Sequence, residues 1–284
     1  MTTAISTHLF VQHRLTTVVL DRVFDAGFPQ VEIFCARQHF DYQNSAQVGE
    51  FAHWFRDAEL KLHSLHSPMY SDDVWGRSGP SAVVNIAEPE KIRRRDSVDE
   101  IKRALEVTER IPCRYLIQHI GVGAEEYDDR KFDAAFSALE ELNLFAGQRG
   151  VEILIENIPN QLSSAERLNY FLGTTHLENG FCFDTGHANL HSGVESEFHL
   201  MKERIRSTHI HDNNGELDNH LYPFLADGGT VDWRRTMSLL RSRPGQWPLL
   251  LELREAAGME PFLTKAHDVL ERLQEMEFEE QEVA

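Results

Sequence analysis

The segment DAAFSALEELNLFAGQRGVEILIEN, residues 133–157, decides how this chain folds. Its first part carries apolar residues at helical spacing and stops at Gly150. Directly after that glycine, VEILIEN (151–157) is a short, β-branched apolar run of the kind that forms a buried strand. A helix handed to a strand through one glycine is the αβ connection of a parallel sheet. The same unit recurs in both directions. Strand candidates are AISTHLF (4–10), QVEIF (30–34), LKLHSLH (60–66), YLIQHIG (115–121), FCFDTG (181–186), IRSTHIHD (205–212) and PLLLELR (248–254). Helix-like segments such as LTTVVLDRVFDAG and SVDEIKRALEVTER fill the intervals. Eight strands alternating with eight helices, about 35 residues per unit and no linker, predict an α/β fold. Specifically, residues 1–284 are expected to form a single closed (β/α)8 TIM barrel. A doubly wound open sheet is the alternative, and the even spacing favours closure.

Composition narrows the function classes. A chain of 284 residues buries roughly three quarters of its unfolded surface, so it needs no disulfide staples. The three cysteines, Cys35, Cys113 and Cys182, show no CxxC spacing and read as buried small hydrophobes. With no long apolar run and no leader pattern at the N-terminus, a cytoplasmic protein is expected. A net charge of −18 argues against nucleic acid and anionic membrane as partners. The one dense basic run, KIRRR (91–95), reads as a solvated helix start or an anion contact. The tail EMEFEEQEVA reads as a solvated acidic helix end.

The longest connection, residues 67–96, is expected to be a lid, with Met69, Tyr70, Trp75 and Arg77 excluding water from a polar site. The loop at 35–46 would bring Arg37, His39, Phe40 and Tyr42 to the same end. GVG at 121–123 lacks the third glycine of a dinucleotide fingerprint, and the sequence holds no P-loop, GxSxG or HExxH.

Active sites of this fold lie at the C-terminal ends of the strands. Six consecutive predicted strands deliver His or a carboxylate there: His66, His119, Glu156, Asp184, the pair His209 and His211, and Glu252. Buried together without compensation these groups would be costly, and a divalent cation is the obvious counter-charge. The core set is Glu156, Asp184, His209 and Glu252, a mostly oxygen site suited to Mn²⁺, Mg²⁺ or Zn²⁺. Glu156 and Glu252 face each other across the mouth, where two carboxylates could pass a proton on and off carbon. His66, His119, His187, Asp218 and His220 either bind further metals or hydrogen-bond a polyol. In DNNGE (212–216), Asp212 and the asparagines are turn formers, and Gly215 supplies a permissive φ.

With these residues placed, the chain resembles the sugar phosphate isomerase/epimerase superfamily, which has a xylose isomerase-like barrel and includes the endonuclease IV type of abasic-site nuclease. The carriers are VEIF, LHSLHSP, LIQHIG, VEILIEN, FCFDTGHANL, THIHDNNGELDNH and LLLEL, in order along nearly the whole chain. The resemblance implies a shared metal at Glu156, Asp184, His209 and Glu252. The nuclease branch carries three zinc ions, whose further ligands match His66, His119, His187, Asp218 and His220. Ketose 3-epimerases of the group place an arginine six residues after the strand-seven histidine. Here that position is Gly215.

The resulting expectation is a divalent-metal-dependent isomerase, epimerase or related lyase acting on a small sugar or polyol-type carbonyl substrate through an enediolate. Glu156 and Glu252 would be acid and base. His66, His119, His187, His211 and Arg254 would contact substrate. One alternative is a trinuclear-zinc phosphodiesterase, against which stands the absence of Lys and Arg from the loops after strands four to seven. The other is a non-catalytic sugar-binding barrel.

Overall fold

The computed structural model describes residues 1–243 and 245–279 of the chain. Among them the elements run β1 (Thr3–Ser6), α1 (Thr17–Asp25), β2 (Gln30–Phe34), α2 (Ser45–Asp57), β3 (Lys61–His66), α3 (Lys91–Glu106), β4 (Tyr115–His119), α4 (Asp129–Gly147) and β5 (Glu152–Glu156). They continue with α5 (Ala165–Gly173), β6 (Gly180–Asp184), α6 (Thr185–Leu190), α7 (Val194–Met201), β7 (Ile205–His209), α8 (Trp233–Arg241), β8 (Leu249–Leu251) and α9 (Phe262–Glu279). Between α4 and β5 the Gly150 hinge takes φ +71°, a left-handed value that favours glycine.

All strand pairs are parallel, in the order β7-β6-β5-β4-β3-β2-β1-β8. The ends of that sheet meet through a parallel bridge between Ile210 and Leu251. There the Ile210 N–H donates to Leu250 O at 2.8 Å, and the Glu252 N–H to Ile210 O at 3.2 Å. This closes the expected barrel. Strand alternation then sorts the side chains. On β5, Ile153 and Ile155 join the large core beneath the helices, whereas Leu154 fills the barrel interior with Tyr115, Ile117 and Cys182. Glu156, two residues beyond Leu154, therefore points inward at the mouth.

Several boundaries differ from the sequence reading. The first strand ends at Ser6, whose Oγ accepts the His8 N–H at 3.2 Å and starts a 3₁₀ turn over Thr7–Phe10. That turn carries His8 to the barrel mouth. Two helices, α6 and α7, follow β6 where one was expected. The lid ends at residue 90, because KIRRR forms the opening turns of α3 under the cap of Glu90, which accepts the Ile92 and Arg93 N–H groups. KIRRR is thus a solvated helix start, and it does not line the cavity at the barrel mouth. Cys35 and Cys182 are fully buried as expected, Cys113 is half-buried, and all three are free thiols. Residues 280–284 of the acidic tail lie outside the described residues. Among the described residues, no helix is long and apolar enough to cross a membrane.

Candidate metal centre

Glu156 ends β5, Asp184 ends β6, His209 ends β7, and Glu252 follows β8 directly. Their ligand atoms lie within 4.8 Å of one another and all four residues are buried. His209 Nδ1 is 3.0 Å from Glu156 Oε1, 3.2 Å from Glu252 Oε2 and 3.9 Å from Asp184 Oδ2. The strand ends are locked by a residue whose part the sequence did not announce. Asn157 Oδ1 accepts the Asp184 N–H at 2.8 Å, and its Nδ2 donates to Asp184 O at 2.9 Å. This side-chain amide continues the β5–β6 ladder beyond its backbone and holds Glu156 beside Asp184.

Two further groups adjoin this quartet. His66, His119 and Glu156 form one, with His66 Nε2 3.2 Å from His119 Nε2 and His119 Nε2 3.0 Å from Glu156 Oε2. His187, His211, Asp218 and His220 form the other. There His187 Nε2 lies 3.2 Å and His220 Nε2 3.4 Å from Asp218 Oδ2. The backbone sets which ring nitrogen faces inward. A carbonyl can only accept, so Nδ1 donates from His66 to Ser67 O, from His187 to Asn157 O, from His211 to Asp212 O and from His220 to Glu252 O. With Nδ1 so engaged, His66, His187 and His220 turn Nε2 toward the cluster, the orientation a metal ligand needs, while His211 Nε2 meets the Asp184 carboxylate.

The charge balance has the same implication. Among the described contacts, Glu156, Asp184, Asp218 and Glu252 are answered by imidazoles and not by Lys or Arg. Burial would push the Glu156 carboxyl up, yet His209 and His119 hold it well below the usual carboxylate range. Burial would likewise lower His220, but Asp218 lifts it to about 9. His187 is raised against burial by Asp184 and Asp218. The cluster thus favours positive charge in its midst. Mixed oxygen and nitrogen donors in a buried pocket fit a divalent ion of the Mn²⁺, Mg²⁺ or Zn²⁺ kind.

Above the cluster opens a cavity of about 210 Å³. His66, His119, Glu156, His187, Asp218, His220 and Glu252 reach it from below, and Arg254 stands at its side as the single Lys or Arg among the lining residues. Phe34, Met69, Trp75, Ile158 and Pro159 form an apolar wall. The lid supplies two of these, Met69 and Trp75. It is pinned by a Tyr70–Val83 bridge, by the Trp75 N–H to Gln38 Oε1 at 2.9 Å, and by Arg37 Nη1 to Ser71 O at 3.2 Å. Arg77, expected over the site, instead pairs with Asp73 in solvent at 2.6 Å. His39, Phe40 and Tyr42 are turned into the protein, His39 Nδ1 donating to His13 O and Tyr42 Oη to Glu100.

His211 does not line the cavity. It is fully buried behind Asp184, its Nε2 3.0 and 3.1 Å from the two Asp184 oxygens, and its ring stacks on His220 at a centroid distance of 4.0 Å. Gly186 makes room for it, since a Cβ there would lie 2.1 Å from His211 Cε1. Gly186→Ala is therefore expected to evict the imidazole. Overpacking of this kind costs about 1–3 kcal/mol, readable in a denaturant melt, and metal analysis should show fewer bound ions per chain.

The segment after β7 is more structural than its sequence suggests. Asp212 is a buried hub that accepts the Asn213, Thr230 and Val231 N–H groups on Oδ1 and Trp233 Nε1 on Oδ2 at 2.7 Å. Asn213 and Asn214 make the expected turn bonds, and Gly215 sits at φ +80° with its N–H on Asn213 Oδ1. Gly215 lies outside the cavity lining, in a conformation that disfavours an arginine. Asp218 and His220 follow, His220 at φ +48°, a strained backbone of the type that collects at functional sites. His8 and Phe34 also escaped the sequence reading. His8 donates Nδ1–H to Leu253 O at 3.1 Å and packs against His220, its ring neutral because burial and the His220 charge push it well down.

A parallel (β/α)8 barrel whose strand ends gather carboxylates and imidazoles under a small lidded cavity defines a class of protein. The chain belongs to the xylose isomerase-like TIM barrel family, whose model matches residues 20–276. That match, together with the structural neighbours, bears out the superfamily resemblance read from the motifs. The uncharacterized protein y4fM of Sinorhizobium fredii is 24% identical over 241 residues, which cover 78% of this chain and 76% of that protein. A D-tagatose 3-epimerase-like protein superposes over 100% of both chains with a TM-score of 0.78 and 22% identity. An L-ribulose 3-epimerase superposes with a TM-score of 0.78 and 17% identity, over 100% of this chain and 98% of that one. At such identities the likeness establishes the fold, and activity has to be argued from the site.

Proposed function

We propose that the protein is a divalent-metal-dependent isomerase or epimerase that moves a proton at carbon in a small sugar or polyol carrying a carbonyl group. The observation that carries this reading is the carboxylate pair. Glu156 and Glu252 both reach His209 Nδ1, at 3.0 and 3.2 Å, on the floor of a cavity sized for a small molecule. A cation held by Glu156, Asp184, His209 and Glu252 would polarise adjacent substrate oxygens and make the neighbouring C–H acidic. One glutamate then takes the proton, and the C–H electron pair moves toward the carbonyl oxygen. The other returns a proton, to the opposite face in an epimerisation or to the neighbouring carbon in an isomerisation. His66, His119 and His187 present polar edges to substrate hydroxyls, while His211 steadies Asp184 from behind. Met69 and Trp75 keep water from the anion formed between the two proton transfers.

Arg254 is assigned to substrate. Its side chain is exposed at the cavity, where the rim loops after β4, β5, β6 and β7 offer no other Lys or Arg. Arg254→Ala should raise KM on the order of ten-fold with a smaller change in kcat, as expected when one ground-state hydrogen bond to a charged group is lost. An unchanged KM would remove Arg254 from the substrate site.

The direct test is a panel of ketoses, aldoses and their phosphates incubated in D₂O with the metal-loaded protein. Incorporation of one deuteron at the carbon beside the carbonyl, followed by NMR, is the expected result. A second reading has a specific observation behind it: two of the three donor groups share Glu156, and together the groups contain all nine residues that match the trinuclear pattern. Hydrolysis of phosphate esters without any deuterium exchange would favour that reading. The cation-poor rim makes a small phosphate ester a better candidate for it than DNA.

A further inference from the structure

His209 is turned the opposite way from the other histidines of the cluster. His66, His187, His211 and His220 give Nδ1–H to backbone carbonyls and face inward through Nε2. His209 faces inward through Nδ1, and its Nε2 meets no carbonyl. Instead it lies 3.2 and 3.3 Å from the two oxygens of Glu32, which is fully buried in the barrel interior.

Glu32 has an environment built for it. It sits in the middle of β2, between Val31 and Ile33, which belong to the core under the helices. Alternation therefore directs Glu32 inward, one layer below Phe34 of the cavity wall. The β2–β3 register shifts between Val31 and Glu32, so that Glu32 pairs with Ser64. The extra residue is His63 of β3, and the bulge brings Ser64 opposite Glu32. Ser64 Oγ donates to Glu32 Oε2 at 2.7 Å, and among the described contacts no Lys or Arg reaches the carboxylate. A buried carboxylate held by one hydroxyl and one imidazole is costly for stability alone.

We propose that Glu32 is the positioning residue of the metal centre, fixing His209 in the Nε2–H tautomer so that its Nδ1 lone pair points at Glu156, Asp184 and Glu252. The reverse tautomer would set an imidazole lone pair against the Glu32 oxygens and close Nδ1 with a proton. A carboxylate behind the ring also makes the inward nitrogen a stronger donor than a carbonyl would. Glu32 touches neither cation nor substrate, and it acts through His209. This inference rests on the reading of the quartet as a cation site.

The test is Zn²⁺ affinity, measured by competition with a chromophoric chelator, in wild type, Glu32→Gln, Ser64→Ala and Cys182→Ala. Losing an outer partner of this kind costs on the order of 10- to 100-fold in metal affinity, and Glu32→Gln should show it. Ser64→Ala, which only loosens Glu32, should fall between wild type and Glu32→Gln and gives the answer even if the glutamine variant folds poorly. Cys182 is a further neighbour of the His209 ring, outside the quartet and Glu32, and its removal should leave affinity unchanged. In zinc-loaded wild type, ¹⁵N NMR should find His209 protonated at Nε2. Wild-type affinity in both Glu32→Gln and Ser64→Ala, or a Cys182→Ala loss equal to that of Glu32→Gln, overturns the proposal. A purely structural Glu32 would lower the melting temperature and leave affinity alone. Failure of the wild type to bind Zn²⁺ would instead sink the cation-site reading itself.

Discussion

Glu156→Gln is expected to cost the protein its cation and its turnover while leaving the barrel folded. Glu156 is the one residue common to two of the three donor groups, with Oε1 beside His209 and Oε2 beside His119. The amide keeps the volume and loses the charge. It also loses the capacity to take a proton from carbon. Removing an acid–base group alone costs about 10²- to 10⁴-fold in rate, and weakened cation binding adds to that, so deuterium exchange should drop by at least about 10³-fold. Circular dichroism should be unchanged, because the β5 backbone ladder and the Asn157 clamp do not use the carboxylate. Persistence of exchange at a tenth of the wild-type rate or more would exclude Glu156 as a catalytic residue.

The second large effect is on stability. Four carboxylates crowd the mouth against imidazoles such as His187 and His220, which the carboxylates push up, and a bound cation would take over as counter-charge. A ligand present at a thousand times its Kd stabilises the native state by about 4 kcal/mol, so chelation should lower Tm on the order of 10 °C for a chain of this size. The pH dependence has a definite sign. His220 is raised to about 9 against an ordinary 6.5, so its ion pair with Asp218 supports the metal-free fold fully below the ordinary value. That support is lost as pH rises through about 9. A cation in the adjoining group of His187, His211, Asp218 and His220 would have to expel the same proton, so binding there would strengthen over the same interval. The gap in Tm between loaded and chelated protein should therefore widen from pH 6 to pH 9. A gap that narrows would mean that His220 is not displaced by the ion.

The quartet was legible in the sequence because a strand end is a geometric statement. Once VEILIEN, FCFDTG, IRSTHIHD and PLLLELR are parallel neighbours, period-two alternation places Glu156, Asp184, His209 and Glu252 at one rim. Asp218 and His220 were legible as a pair for a related reason, although only the folded loop, with Asp212 as its hub, brings them to His187. Glu32 was hidden, since a glutamate inside QVEIF looks like the polar face of an ordinary strand. Its meaning depends on a bulge that no spacing rule reveals. His8 was hidden by the early end of β1, and His211 was misplaced because a strand expected to run to residue 212 stops at His209. In the loop at 35–46, the residue types were those of a cover, yet His39, Phe40 and Tyr42 pack into the core. Loop side chains have no period to fix their direction.

The central claim is that the barrel mouth holds a divalent cation at Glu156, Asp184, His209 and Glu252. Anomalous diffraction from crystals of the protein loaded with Zn²⁺ tests it most directly. The expected result is a peak among these four side chains, at roughly 2.0–2.2 Å from their ligand atoms, and further peaks at the two adjoining groups would favour the trinuclear reading. A map with no anomalous density at the quartet, at saturating Zn²⁺ and neutral pH, would contradict the account.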